Sequence, residues 1–236
     1  MSATEHVRSI TLVRHGRTSY NVRHCFQGQI DIPLDEVGRW QVEQTGAALK
    51  SLYVDGQPDG RRQLVVASDL SRAAATAHAF ADPLGLDVHL DERVRERNFG
   101  QWEGMEVAEI ARQYPDAYRS WAEFRGGELE YGCEPKEHVG ARGVAALDDW
   151  AHRAGDDTDL FVFSHGSCIM QTTIMLLGLD RVHPEFTDVV SMRNAHWARF
   201  VPVDMPDGTL RWRLMDYNHG PAAADTDQWE HPPIED

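Results

Sequence analysis

A short apolar run, Ile10 to Val13, stops abruptly at Arg14-His15-Gly16. A run this short, closed by a glycine, suits a strand buried on both faces better than a helix. Such strands belong to parallel sheets, whose faces are covered by crossover helices. The pattern recurs at Leu64–Ala67, in the short Asp87–Leu90 and at Asp159–Ser164. Between these runs the spacing turns helical. Val42, Thr45, Leu49 and Leu52 share one face within Gly38–Tyr53, an alanine-rich helix capped by Ser68 or Asp69 extends to about Pro83, and another helix covers Ser167–Leu177. Two closing strands, Val189–Val203 and Thr209–Tyr217, are joined by a "PDG" turn. Strands alternating with helices define an α/β fold, with a mostly parallel central sheet and helices on both faces.

The stretch from Gly104 to His138 breaks the alternation, and it reads as a helical, lid-like excursion (104–138) over the sheet edge. A single domain is expected over 1–217. An acidic C-terminal tail, 218–236, follows, and its stretch from Ala222, with two prolines and little periodicity, reads as loosely attached. The chain of 236 residues carries a formal net charge of −15. Nucleic acid and anionic membranes both reward basic surfaces, so neither is expected as a partner. An anionic substrate would need a local cationic pocket. No run of about 18 apolar residues is present, and Met1–Arg8 is polar. Cys25, Cys133 and Cys168 are far apart and show no metal-ligand spacing, which favours a reducing, cytoplasmic setting.

In open α/β sheets, ligands bind beyond the carboxyl ends of the strands. Arg14 and His15 follow the first strand, Arg72 opens the helix after the second, and His165 follows "LFVFS". Beside guanidinium groups an imidazole resists protonation, and a neutral imidazole is a competent nucleophile toward phosphorus. The arginines would hold the phosphate oxygens and stabilise charge in the transferring group. His165 begins a helix, where N–H groups can also face an anion. Asn21 and Gln27 could orient phosphate or water, and Glu96 is a candidate acid for the leaving alcohol.

The stretches "LVRHGRTSYN", "SDLSRAAATA", "RERNFGQWEG" and "SHGS", in this order, resemble the histidine phosphatase superfamily, also called phosphoglycerate mutase-like. The resemblance covers about Ile10 to Trp197. It implies that His15 becomes phosphorylated, that Arg14, Arg72 and His165 complete the phosphate pocket, and that Glu96 donates the proton. Thr18, Asn21, Gln27 and Gly28 match the family's loop after the first motif, on the substrate side, and Ser167, which stands where the family often has a second glycine, is a further substrate-binding candidate. No metal or organic cofactor is implied, and the partner is a small phosphorylated metabolite. Cys25 stands where the family usually has arginine, with Arg23 as a substitute, and "GCEP" at Gly132–Pro135 replaces the common "GGES".

The acidic excursion favours a small-molecule phosphatase over its rival, a cofactor-dependent phosphoglycerate mutase whose bisphosphorylated activator it would repel. A non-catalytic phosphoryl-binding module is the third reading. "RNAHW" around Asn194 resembles phosphatases of phosphoglycerate type, including those acting on glucosyl-3-phosphoglycerate. Trp102 is expected to anchor a loop, Cys168 to be a small core residue, and Met170, Ile174 and Leu177 to face the core. His24, His78, His138 and His183 read as surface or loop residues. The apolar closing strands could pair two subunits into a homodimer.

Overall fold

The computed structural model describes residues 6–58, 60–182 and 189–234. His183 lies outside them. Six strands form one sheet: β1 (Ser9–Arg14), β2 (Arg62–Ala67), β3 (Val88–Leu90), β4 (Thr158–Ser164), β5 (Trp197–Asp204) and β6 (Leu210–His219). Their order is β3-β2-β4-β1-β5-β6. The first four are mutually parallel, and β5 runs antiparallel to both β1 and β6. The α/β expectation therefore holds.

Side chains alternate along the strands, as a two-sided sheet requires. Leu160 and Val162 of β4 pack with Leu12 and Val66 on one face, against Ala146, Leu147 and Ile169. Phe161 and Phe163 pack on the other face, with Leu49, Ala77 and Phe80. Thus α2 (Glu36–Tyr53) and α3 (Ser71–Ala81) cover one side, and α6 (Lys136–Ala154) and α7 (Gly166–Leu176) the other. The short α1 (Ser19–Val22) lies in the loop after β1. The excursion carries two short helices, α4 (Val107–Gln113) and α5 (Pro115–Ala122). It has its own aromatic core, in which Trp102 is fully buried among Phe26, Phe99, Tyr114 and Trp121.

Several expectations are corrected. The residues before β5, 189–196, form a loop, because Ala195 takes a positive φ of 57° that no strand accommodates. The 19-residue α6 has no counterpart in the reading of the sequence, although Val139, Gly143, Ala146, Leu147 and Ala151 carry its buried stripe. Leu52 leaves the core face of α2 and is 49 % exposed. On α7, Cys168, Ile169 and Thr172 are buried alongside Ile174, while Met170 and Leu177 are only partly so. Neither Ser68 nor Asp69 caps α3. Its first N–H, that of Ser71, donates to Asp31 at 2.8 Å, and Asp69 pairs with Arg95.

The tail is docked rather than loose. Trp229 is 2 % exposed, stacked edge-on against Trp40 and His196, and its carbonyl accepts from Gln41 at 3.0 Å. One large aromatic buries enough apolar surface to offset the ordering of a few polar residues. Among the described residues no helix is long and apolar enough to cross a membrane.

Candidate active site

The register of the central strands builds the site. Arg14 of β1 lies opposite Ser164 of β4, so the next residue on each parallel strand is a histidine. Neighbouring strands are about 4.8 Å apart. The rings of His15 and His165 accordingly meet edge to face, with centroids 5.1 Å apart. The His15 N–H donates to the Ser164 carbonyl at 3.0 Å, holding the strand ends together. Both imidazoles are buried, 2 % and 0 % exposed.

Two arginines complete it. Arg14 passes across Gly166, where an added Cβ would lie 3.3 Å from the guanidinium carbon, and it donates to the Met192 carbonyl. Arg72 reaches back from the first turn of α3, donating to the Gly28 carbonyl at 2.8 Å and the Ile30 carbonyl at 2.9 Å. Among the described residues neither makes an ion pair with a carboxylate. Nε of both arginines, and both ring nitrogens of His165, are buried with no partner among the described residues. Buried donors without partners cost free energy unless an anion takes their bonds.

The electrostatics follow from this burial. Desolvation, then Arg72 and Arg14, holds His15 well below the usual imidazole range. His165 is lowered likewise by desolvation, then by Arg72 and His15. Burial brings Arg72 down to about 10, so it stays charged at neutral pH. His15 is thus a neutral ring. Its Nδ1–H donates to the Gly16 carbonyl at 2.7 Å, which leaves the Nε2 lone pair free to attack.

Glu96 sits where the sequence reading placed a phosphate contact. Its Oε1 accepts from the N–H groups of Arg97 (2.7 Å) and Cys168 (3.0 Å), and its Oε2 from that of Ser167 (3.1 Å). The carboxylate therefore occupies the amino end of α7, and the Ser167 backbone holds Glu96. Thr18 and Asn21 form a reciprocal cap on α1. Thr18 Oγ1 lies 3.0 Å from both Asn21 Oδ1 and Gln27 Oε1, so these three residues are tied to one another and stiffen the loop after His15. Gly28 serves through its carbonyl, on Arg72. Arg23 does not substitute for the arginine replaced by Cys25. It turns outward to Glu106 at 3.2 Å, because the backbone at Cys25 bridges to Glu106 at the start of the excursion.

Two supporting residues were not foreseen. Asn194 Nδ2 lies within hydrogen-bond reach of the carbonyls of His15 (3.1 Å) and Gly16 (3.3 Å) and of Asn21 Oδ1 (3.2 Å), bracing the loop that follows β1. The "RNAHW" stretch contained it, but nothing local marked its role. Arg142 of α6 binds Glu134 and donates to the carbonyls of Arg93, Arg95 and Glu96, fixing the segment that presents Glu96. No sequence signal connects residues 46 apart. Among the described residues, no group of three or more His, Cys, Asp or Glu side chains is arranged to hold a metal.

Residues 10–211 match the family model described as histidine phosphatase superfamily (branch 1). The chain belongs to that superfamily. This histidine phosphatase is 34 % identical over 227 residues to a glucosyl-3-phosphoglycerate phosphatase of Mycolicibacterium vanbaalenii, covering 90 % of this chain and 95 % of the relative. It is 35 % identical over 210 residues to an uncharacterised phosphatase of Bacillus subtilis, covering 89 % and 94 %. A solved structure of a mycobacterial glucosyl-3-phosphoglycerate phosphatase with VO3 superposes with a TM-score of 0.77 at 30 % identity, covering 90 % and 100 % of the two chains. A probable phosphoglycerate mutase of an Enterobacter species is 31 % identical over 174 residues, covering 72 % and 75 %. The protein is a phosphomonoester hydrolase of this superfamily acting on a small phosphorylated metabolite.

Proposed function

We propose that hydrolysis proceeds through two displacements at His15, on a substrate of the phosphoglycerate type such as glucosyl-3-phosphoglycerate. The substrate phosphate sits between Arg14, Arg72 and His165. His15 Nε2 attacks phosphorus, the P–O ester bond breaks, and the leaving oxygen takes a proton from Glu96. Water then gives a proton back to the Glu96 carboxylate and attacks the phosphohistidine. Orthophosphate leaves and the neutral imidazole returns. The geometry at Glu96 suits this exchange. Oε1 already accepts two N–H groups, whereas Oε2 accepts one and keeps a lone pair for the transferred proton. The backbone N–H groups hold the carboxyl in place without occupying that lone pair.

The observation that carries the reading is the edge-to-face pair of buried imidazoles, with unpartnered arginine nitrogens beside them. The substrate class rests on the similarity to the mycobacterial relatives. The test is rapid-quench labelling with a 32P-phosphomonoester in the presence of EDTA. An acid-labile phosphoprotein is expected in the native enzyme and none in His15→Ala. Undiminished phosphate release by folded His15→Ala protein overturns the mechanism. Release from glucosyl-3-phosphoglycerate no faster than from unrelated phosphomonoesters overturns the substrate class.

A further inference from the structure

One loop grips both Arg14 and His15. The Ala195 N–H donates to the His15 carbonyl at 3.0 Å, and the Arg14 N–H donates to the His196 carbonyl at 2.9 Å. Ala195 makes its bond from a left-handed backbone, with φ at 57°. A residue with a Cβ is strained there, and it persists only where the surrounding structure over-determines it.

Those surroundings come from the C-terminal segment. Ala195 is fully buried in a cluster with Leu34, Val42, Ala224 and Trp229. The Trp229 ring meets that of His196 edge-on, centroids 5.6 Å apart, and the His196 Nδ1–H donates to the Asn194 carbonyl at 2.9 Å. The Arg193 guanidinium donates to the Ala224 carbonyl at 3.2 Å. The chain on both sides of Ala195 is therefore held as well. A second line of contact runs through Gln41, which is 1 % exposed. Its Nε2 donates to the Trp229 carbonyl at 3.0 Å, and its Oε1 accepts the Arg17 N–H at 3.0 Å. Arg17 lies two residues past His15, and its guanidinium reaches Glu230 at 3.4 Å. The segment lies beyond residue 211, the last that the family model matches. The mechanism above uses none of it.

We propose that the segment from Pro221 to Glu230 is a strap on the loop that carries His15, and that Trp229 is a positioning residue for the reaction. Packing of Trp229 and Ala224 keeps Ala195 in its strained conformation, and with it the bond to the His15 carbonyl. Gln41 carries the second hold, on Arg17. Together they fix the backbone on both sides of His15, and so the line along which Nε2 meets phosphorus. A displacement of about 1 Å at a reacting atom can cost on the order of 10²-fold in rate. Arg72 is held instead by the Gly28 and Ile30 carbonyls, so phosphate binding should depend on the strap far less. The inference rests on the proposed attack by His15.

Rapid-quench measurement of His15 phosphorylation separates positioning from folding. With a saturating 32P-phosphomonoester, well below the melting temperature, Trp229→Ala should be phosphorylated about 10- to 100-fold more slowly than the native enzyme. Trp229→Phe, which keeps a ring in place, should stay within about threefold of it. Inhibition by inorganic phosphate should shift less than about threefold in either variant. Glycine adopts a positive φ without strain, so Ala195→Gly added to Trp229→Ala should recover about fivefold in rate. Lost packing alone is not repaired by removing a methyl group. If Trp229→Ala does not fold, Gln41→Met keeps the volume but cuts the link between Arg17 and Trp229, and it should slow phosphorylation about three- to tenfold. A native rate in folded Trp229→Ala, or in Gln41→Met where the former does not fold, overturns the strap and leaves His15 as the nucleophile. So does a double variant no faster than Trp229→Ala. Native enzyme that forms no phosphoprotein overturns the reading of His15, and the inference with it.

Discussion

Replacing Glu96 with glutamine isolates the proton-transfer step. The carboxylate accepts three backbone N–H groups, two on Oε1 and one on Oε2. A glutamine amide has one acceptor oxygen. With that oxygen at the Oε1 position it keeps the Arg97 and Cys168 bonds, and its NH2 faces the Ser167 N–H donor to donor. One buried unsatisfied donor costs about 1–3 kcal/mol. For a chain of this size that lowers Tm by about 2–4 °C per kcal/mol, so the variant folds but melts measurably lower. The kinetic loss is of another kind. An alkyl phosphate expels an alkoxide that needs a proton, and removing the general acid should slow it about 10²- to 10⁴-fold. Para-nitrophenolate departs without a proton, so its release should fall about tenfold at most. The assay is the ratio of kcat/KM for an alkyl phosphate to that for para-nitrophenyl phosphate, in native and Glu96→Gln protein. A ratio that drops at least tenfold supports the role. Equal losses on both substrates would show that the substitution only disturbs the site, and would refute Glu96 as the acid.

Other outcomes follow from burial. His15 and His165 are held well below the ordinary imidazole range, and His196 is brought to about 4, in each case chiefly by desolvation. Below pH 6.5 the unfolded chain takes up protons at these residues and the folded one does not. Stability should thus be level in this respect above pH 7 and fall as pH drops from about 6 to 5, by about 1.4 kcal/mol per pH unit for each imidazole. Urea titrations at pH 7.5 and 5.5 check it, and an unchanged unfolding free energy would contradict the burial of neutral rings. Gly38→Ala should impair both folding and turnover. Its Cβ would fall 2.0 Å from the Arg17 carbonyl oxygen, a backbone atom that can yield only by shifting the loop next to His15. The expected cost is about 1–3 kcal/mol of stability and on the order of 10²-fold in kcat, measured by thermal melts and phosphate release.

Much of the candidate site was legible along the chain because each contribution is local. A buried strand that stops in Arg14-His15 shows its character within a few residues, as does "SHGS" after β4. The helical character of the excursion and the burial of Trp102 were legible for the same reason. Legibility ends where partners are distant. Asp31 caps α3 from 40 residues upstream, and Trp229 pins the tail onto Trp40 and His196.

By itself the sequence determined the alternation of buried strands and helices, and the residue types that close each strand, since hydrophobic periodicity and chain-breaking residues act over one element. Only the tertiary structure decided that Arg14 lies beside Ser164, which puts two imidazoles 5.1 Å apart, and that Glu96 rests on the amino end of α7. Register between strands about 150 residues apart, and the pairing of a carboxylate with N–H groups 71 and 72 residues away, follow from packing the whole sheet and its helices at once. No window of sequence contains both partners.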